Sequence, residues 1–277
     1  NEVMNRVIVI TGGGGVLCSC IARALAETGA PVALIGRTYE TVNRVASEIN
    51  AAGGTARAYS ADVLDKKSLE AAHAAILSDL GKCRVLINGA GGNSPLCTTD
   101  KERYDTGDID REDIKSFFSL DREGFDYVFG LNMTGTLLPT QVFVPDMLGE
   151  ENCCVLNIAS VNSFLPLTKI PAYSSAKAAV TSFTKWLAVH FADQGIRVNA
   201  IAPGFFVSKQ NHSLLFNEDG TPTERIGKIL AATPMKRFGK PEELIGTVKW
   251  LTDAGQSGFV TGITVAVDGG FTAYSGV

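Results

Sequence analysis

Short apolar, β-branched runs recur along the chain at Arg6–Ile10, Pro31–Ile35, Thr55–Ser60, Arg84–Asn88, Cys153–Ile158, Arg197–Ile201 and Ile263–Val267. Between most of them the apolar positions take up a helical period, at Ile21–Glu27, Val42–Asn50, Leu69–Leu80 and Ala176–Phe191, and Phe125–Leu138 is a further mixed helical segment. Strands that alternate with helices in this way form a parallel sheet covered on both faces. The pattern predicts one α/β domain over residues 1–277, a Rossmann fold whose doubly wound sheet has about seven strands.

Open sheets of this kind bind ligands beyond the carboxyl ends of their strands, where loops and helix N-termini converge. The residues that follow the runs are Thr11-Gly12-Gly13-Gly14-Gly15, Gly36-Arg37, Asp62, Asn88-Gly89-Ala90-Gly91, Ser160 and Pro203-Gly204, so glycines and polar groups gather at one edge. Two segments break the alternation, 92–121 and 205–240, and loops of that length in a compact domain are usually functional or disordered. The second is expected to serve as a substrate lid.

Composition narrows the function classes. The chain has 277 residues, 45% of them hydrophobic, which suits one large core. No run of eighteen apolar residues occurs and no leader pattern opens the chain, so a soluble, cytoplasmic protein without a membrane partner is expected. A net charge of −4 with scattered Lys and Arg offers no field for nucleic acid. The six cysteines include no CxxC pair and read as packed, reduced thiols. His73, His190 and His212 lie far apart without a carboxylate at ligand spacing, so no metal site is expected.

The glycine run after the first strand has the composition of a dinucleotide loop, in which backbone approaches a pyrophosphate and a helix N-terminus stabilises it; a packing turn reads alike. Arg37 ends the second strand, where an acid would bind a ribose hydroxyl and an arginine the 2′-phosphate; a surface arginine is the alternative. Tyr173 and Lys177 share one helix face behind Pro171, and such a pair alone is often surface decoration. Ser160 and Asn132 complete a set of hydroxyl, phenol, cation and amide. Ketone reduction needs a proton donor at oxygen as hydride reaches carbon, and a phenol with pKa near 10 is a poor base for the reverse. An ammonium about 4 Å away would stabilise the phenolate by roughly 4 kcal/mol at an effective dielectric near 20, enough to bring Tyr173 close to neutrality.

In this order and spacing, Thr11-Gly12, Asp62, Asn88-Gly89-Ala90-Gly91, Asn132, Ser160, Tyr173 to Lys177 and Pro203-Gly204 resemble the short-chain dehydrogenase/reductase family over nearly the whole chain. The resemblance implies an NAD(P)-dependent oxidoreductase. Tyr173 would be the acid/base, Ser160 the carbonyl polariser, Lys177 the holder of the nicotinamide ribose and tuner of the phenol, and Asn132 the anchor of a proton-relay water. NAD or NADP would be held by Gly12, Gly14, Gly15, Val16, Leu17, Arg37, Asp62, Val63, Asn88, Ala90, Gly91, Tyr173, Lys177, Pro203, Gly204 and Ser208. Val16 and Cys18 stand where the family's TGxxxGxG pattern has glycine.

Within the family, TGGGGVLC, INGAGGN, LNMTGTLLPTQVF and the tail SGFVTGITVAVDGGFTAYSGV resemble a branch of D-mannonate oxidoreductases. That likeness implies a sugar-acid substrate, D-fructuronate/D-mannonate, and a homotetramer. Asn93, Asn162, Lys209, Asn211 and His212 are candidates for the substrate carboxylate. A gluconate 5-dehydrogenase or 3-oxoacyl reductase activity, and a non-catalytic dinucleotide sensor, are the alternatives.

Overall fold

A computed structural model describes residues 6–207, 219–221 and 223–276. Seven strands form one parallel sheet: β1 (Val7–Thr11), β2 (Val32–Gly36), β3 (Ala56–Ser60), β4 (Cys83–Asn88), β5 (Cys154–Ile158), β6 (Arg197–Pro203) and β7 (Thr264–Val267). Their order is β3-β2-β1-β4-β5-β6-β7, with β1 paired to β2 on one side and β4 on the other. The chain therefore reverses its direction of winding between β1 and β4, and the loops after them part to leave a crevice.

The central strands are mostly apolar because helices cover both faces. Ile8, Ile10, Leu34 and Ile87 face one fully buried cluster with Ile21 and Leu25 of α1 (Val16–Ala26), Val45 of α2 (Tyr39–Ala51) and Val248 of the penultimate helix. Val7, Val9, Ile35 and Leu86 face the other, with Leu69 and Ile76 of α3 (Lys66–Asp79) and with Phe143, Met147 and Leu187. Alternate residues of one strand thus feed opposite cores, as the two-residue period of a strand requires.

Two short helices, α4 (Arg122–Phe129) and α5 (Gly135–Phe143), are joined by a widened π turn at Gly130–Thr134, and α6 (Pro171–His190) starts with proline in its first turn. The segment 92–121 contains only single 3₁₀ turns, whereas 205–240 holds a nine-residue helix, α7 (Glu224–Ala232), that the reading as a loop did not anticipate. Ile226 and Ile229 bury its inner face beside Phe238. α8 (Ile245–Thr252) precedes β7. Among the described residues no helix is long and apolar enough to cross a membrane. Five of the cysteines are buried, Cys20 is half-buried, and all six are unpaired thiols.

Candidate active site

The crevice between β1 and β4 is built by close backbone approach. Thr11, at the end of β1, accepts hydrogen bonds on Oγ1 from the backbone N–H groups of Gly89 (3.1 Å) and Ala90 (3.3 Å), pinning the β4 loop to the glycine run. Gly12 takes φ +65°, and a Cβ there would stand 2.8 Å from the Gly89 carbonyl oxygen. At Gly14 a Cβ would meet the Thr41 methyl at 2.5 Å. The α1 N-cap is Gly15, with no side-chain capping bond, so the first N–H groups of an eleven-residue helix are left to an external acceptor. A bare helix N-terminus over a glycine cradle fits the pyrophosphate of a dinucleotide.

Gly12, Gly14, Gly15, Arg37, Val63, Ala90 and Gly91 line one open cavity of about 380 Å³ here. Thr38, Thr41 and Leu131 line it too, and the sequence reading missed them. Threonines two and five residues past β2 carry no motif signal; Leu131 could have been found as the neighbour of Asn132.

Other predicted contacts sit elsewhere. Val16 lines a separate groove with Arg23 and Glu242, and Leu17 packs on the core. The Asp62 carboxylate accepts from the Leu64 N–H at 2.9 Å. Asn88 is buried, its Nδ2 donating to Thr140 Oγ1 (3.1 Å) and Asn157 Oδ1 (2.9 Å), so its side chain ties β4 to β5 and α5 rather than walling the crevice. Pro203 is buried at the end of β6, and Gly204 packs against Asp268, whose Cα a Cβ would meet at 2.7 Å. Ser208, Lys209, Asn211 and His212 lie outside the described residues.

Beside the crevice the four chemistry-bearing residues converge. Gly91 joins two of them to it, since a Cβ there would stand 2.7 Å from Asn132 Oδ1 and 3.1 Å from Lys177 Nζ. Asn132 lies in the π turn, fully buried. Its Nδ2 donates to the carbonyls of Gly92 (2.7 Å) and Val128 (2.8 Å), and its Oδ1 accepts from the Gly92 N–H (3.2 Å). One amide hydrogen and the amide oxygen therefore clamp the β4 loop at Gly92, and the other hydrogen ties the π turn back to α4 at Val128. π turns of this kind recur at functional sites.

Lys177 is buried on α6 and donates from Nζ to the carbonyl of Ile158 at 2.8 Å. Its ammonium lies 5.7 Å from the centroid of the Tyr173 ring. Burial lowers the lysine pKa to about 8, opposed by its electrostatic interaction with Cys18. For Tyr173 burial acts first and raises the phenol above its ordinary value, while the hydrogen bond from Ser160 pulls the other way. The expectation that the lysine alone brings the phenol near neutrality is thus corrected: the protein's own groups leave Tyr173 protonated, a donor rather than a base.

Ser160 follows β5 and caps a short turn at Val161–Ser163. The loop from Ser160 to α6 is fastened from both insertions. Thr99 N–H donates to the Lys169 carbonyl (2.9 Å), and Arg225 of α7 donates to the Thr168 carbonyl (2.8 Å) and hydroxyl (3.0 Å). Glu102 pairs with Lys228 of α7 at 3.2 Å, so the two insertions meet over this loop. Of the carboxylate candidates, Asn93 is exposed and donates to Thr98, whereas Asn162 is buried and its side chain is bonded to Ser160, Leu167 and Ser174.

A short chain dehydrogenase family model matches residues 6–218. A Bacillus subtilis protein named uncharacterized oxidoreductase UxuB is 56% identical over 276 residues, covering 100% of this chain and 98% of that protein. A solved structure from Haemophilus influenza, provisionally named a D-mannonate oxidoreductase and holding NAD, matches with TM-score 0.96 and 53% identity over 99% of this chain and 98% of that one. A gluconate 5-dehydrogenase from Burkholderia cenocepacia, in complex with NADP and tartrate, matches with TM-score 0.80 and 26% identity over 99% of each chain.

Proposed function

The chain belongs to the short-chain dehydrogenases, and from that premise we propose that it is an NAD(P)-dependent oxidoreductase that reversibly reduces the keto group of a sugar acid, D-fructuronate to D-mannonate. The observation that carries the reaction class is the half-buried Tyr173 phenol, set between the Ser160 hydroxyl and the Lys177 ammonium at the side of the glycine cradle. The nicotinamide cofactor, when bound, supplies the hydride to the carbonyl carbon. Tyr173, held protonated by burial, gives its proton to the carbonyl oxygen, and Ser160 donates a hydrogen bond to that oxygen as negative charge builds on it. Lys177 is held against the Ile158 carbonyl beside the phenol, where its charge opposes the burial penalty on the phenolate in the oxidative direction.

Gly12, Gly14, Gly15 and the open N-terminus of α1 would hold the pyrophosphate, with Arg37 on the adenosine side. Support for the sugar acid comes from the Haemophilus relative's name and from this chain's own polar insertions, where Arg225 and Lys228 stand over the loop that joins Ser160 to Tyr173. A homotetramer fits the same reading: Trp186 and Val189 on α6 and Phe259 ahead of the edge strand β7 expose large apolar side chains.

The test is a panel of keto acids and neutral ketones with NADH and NADPH side by side. D-fructuronate is expected to show a much higher kcat/KM than its methyl ester, because removing the charge strands the polar groups that bind it. Equal rates for acid and ester, or preference for 5-ketogluconate, an acyl thioester or a neutral ketose, would overturn the substrate assignment.

A further inference from the structure

Ser160 has a buried neighbour that decides which way its hydroxyl points. Its Oγ accepts two hydrogen bonds, from the backbone N–H of Asn162 and from the side-chain Nδ2 of the same residue, both at 3.2 Å. A serine hydroxyl has two acceptor positions and one hydrogen to give. With both acceptor positions filled, what remains is the donor, the hydrogen that faces the Tyr173 phenol oxygen in this structure and would turn to a carbonyl oxygen bound beside it.

The orientation of the Asn162 amide is fixed by the Leu167 backbone N–H, which can only donate to it. Its Oδ1 accepts from the backbone N–H of Leu167 at 3.2 Å and from the Ser174 hydroxyl at 2.9 Å. A backbone N–H cannot accept, so the atom facing Leu167 is the oxygen and the atom facing Ser160 is the nitrogen. Asn162, Ser160 and Ser174 are each less than a tenth exposed, so water does not compete for these positions. The network also spans the site: Leu167 lies in the loop fastened by α7, and Ser174 follows Tyr173 on α6.

We propose that Asn162 is a positioning residue that holds the Ser160 hydroxyl as an obligate hydrogen-bond donor toward the reacting oxygen. The inference rests on the carbonyl-reduction reading above. Asn162 does not touch the substrate; it acts through Ser160. Asn162→Asp tests it with almost no change in volume, because a carboxylate still accepts from Leu167 and Ser174 but presents an acceptor to Ser160. The serine hydrogen then turns toward the aspartate and away from the substrate.

The measurement is a double-mutant cycle over Ser160→Ala, Asn162→Asp and the pair. It uses NADH or NADPH binding by fluorescence and steady-state kinetics on D-fructuronate, or on whichever ketone of the panel is reduced fastest. Losing one donor to a developing oxyanion costs roughly 10²- to 10³-fold in kcat. Asn162→Asp should lower kcat by about 10²-fold with cofactor affinity and KM within about threefold of wild type, and should cost less than about twofold in the Ser160→Ala background. Asn162→Ala, which leaves one acceptor position on Ser160 open, should show a smaller kcat loss with the same dependence on Ser160. It keeps the cycle readable if the aspartate variant does not fold. Equal losses with and without Ser160, or a loss confined to KM, would overturn the positioning role. Wild-type turnover in Ser160→Ala would overturn both this role and the reduction mechanism, whereas a slow Ser160→Ala beside an unaffected Asn162→Asp would overturn the inference alone.

Discussion

Lys177 is buried with its Nζ satisfied by a single carbonyl, an arrangement that costs stability and should be measurable as such. A tenfold change in proton affinity is worth about 1.4 kcal/mol, so a fall of the lysine pKa from 10.5 to about 8 corresponds to a penalty of about 3 kcal/mol at neutral pH. Lys177→Met keeps most of the side-chain volume and removes the charge. It also removes the hydrogen bond to Ile158, which returns about 1 kcal/mol. The cofactor-free variant should therefore be about 2 kcal/mol more stable than wild type at pH 7, a rise in Tm of roughly 4–8 °C. The sign of the pH dependence follows from the lowered pKa. Between pH 8 and 10.5 the unfolded chain carries more protons at this site than the folded one, so wild-type stability gains with rising pH, and the methionine variant lacks that gain. Urea denaturation of both proteins at pH 7 and pH 10 reads the difference directly, since every other titrating group is common to the two. The variant's advantage should shrink to near zero by pH 10 while its turnover is lost at both pH values. A variant less stable than wild type at pH 7, or an advantage independent of pH, would refute the reasoning.

Gly91→Ala should loosen the join between crevice and reacting groups, because its Cβ would stand 2.7 Å from Asn132 Oδ1. NAD(P)H binding should weaken at least about tenfold with about 1–3 kcal/mol of destabilisation, and a variant that binds cofactor normally would show that the close approach is not needed. Arg37→Ala should weaken NADPH binding by about 10-fold or more and leave NADH nearly unchanged, because a guanidinium at the end of β2 suits a 2′-phosphate. Titration of both nucleotides against both proteins decides this, and unchanged discrimination would remove the arginine from that role.

The sheet was legible in the sequence because strands buried on both faces are almost continuously apolar; each of the seven observed strands starts and ends within two residues of an apolar run. Helix starts were less so. Val16 to Cys20 follow four glycines and have no side-chain cap, so α1 looked as if it began at Ile21. α7 was hidden by the Asp, Gly and Pro residues before it, although Ile226 and Ile229 lie at helical spacing and are both buried. The ordered set Asn132, Ser160, Tyr173 and Lys177 could be picked out because each stands at or beyond a strand end or on a helix face, and the structure gathers them beside Gly91. What the sequence withheld was the environment of each group. Spacing placed a lysine near the phenol, but the first influence on the phenol's proton affinity is desolvation, which has no signature in the order of residues. Likewise Asn162 looked like a polar rim residue until its three partners were seen to be Ser160, Leu167 and Ser174.

The central claim is that Tyr173 delivers the proton, and the hydroxyl oxygen is the one atom that distinguishes the claim from a purely structural role. Tyr173→Phe removes that atom and leaves the ring packed against the cluster of Cys97, Val128 and Ala172. Cofactor binding and thermal stability should stay near wild type while kcat for ketone reduction falls by roughly 10²- to 10⁴-fold, the range for a general acid. Turnover in Tyr173→Phe within a few fold of wild type, with cofactor bound normally, would contradict the account.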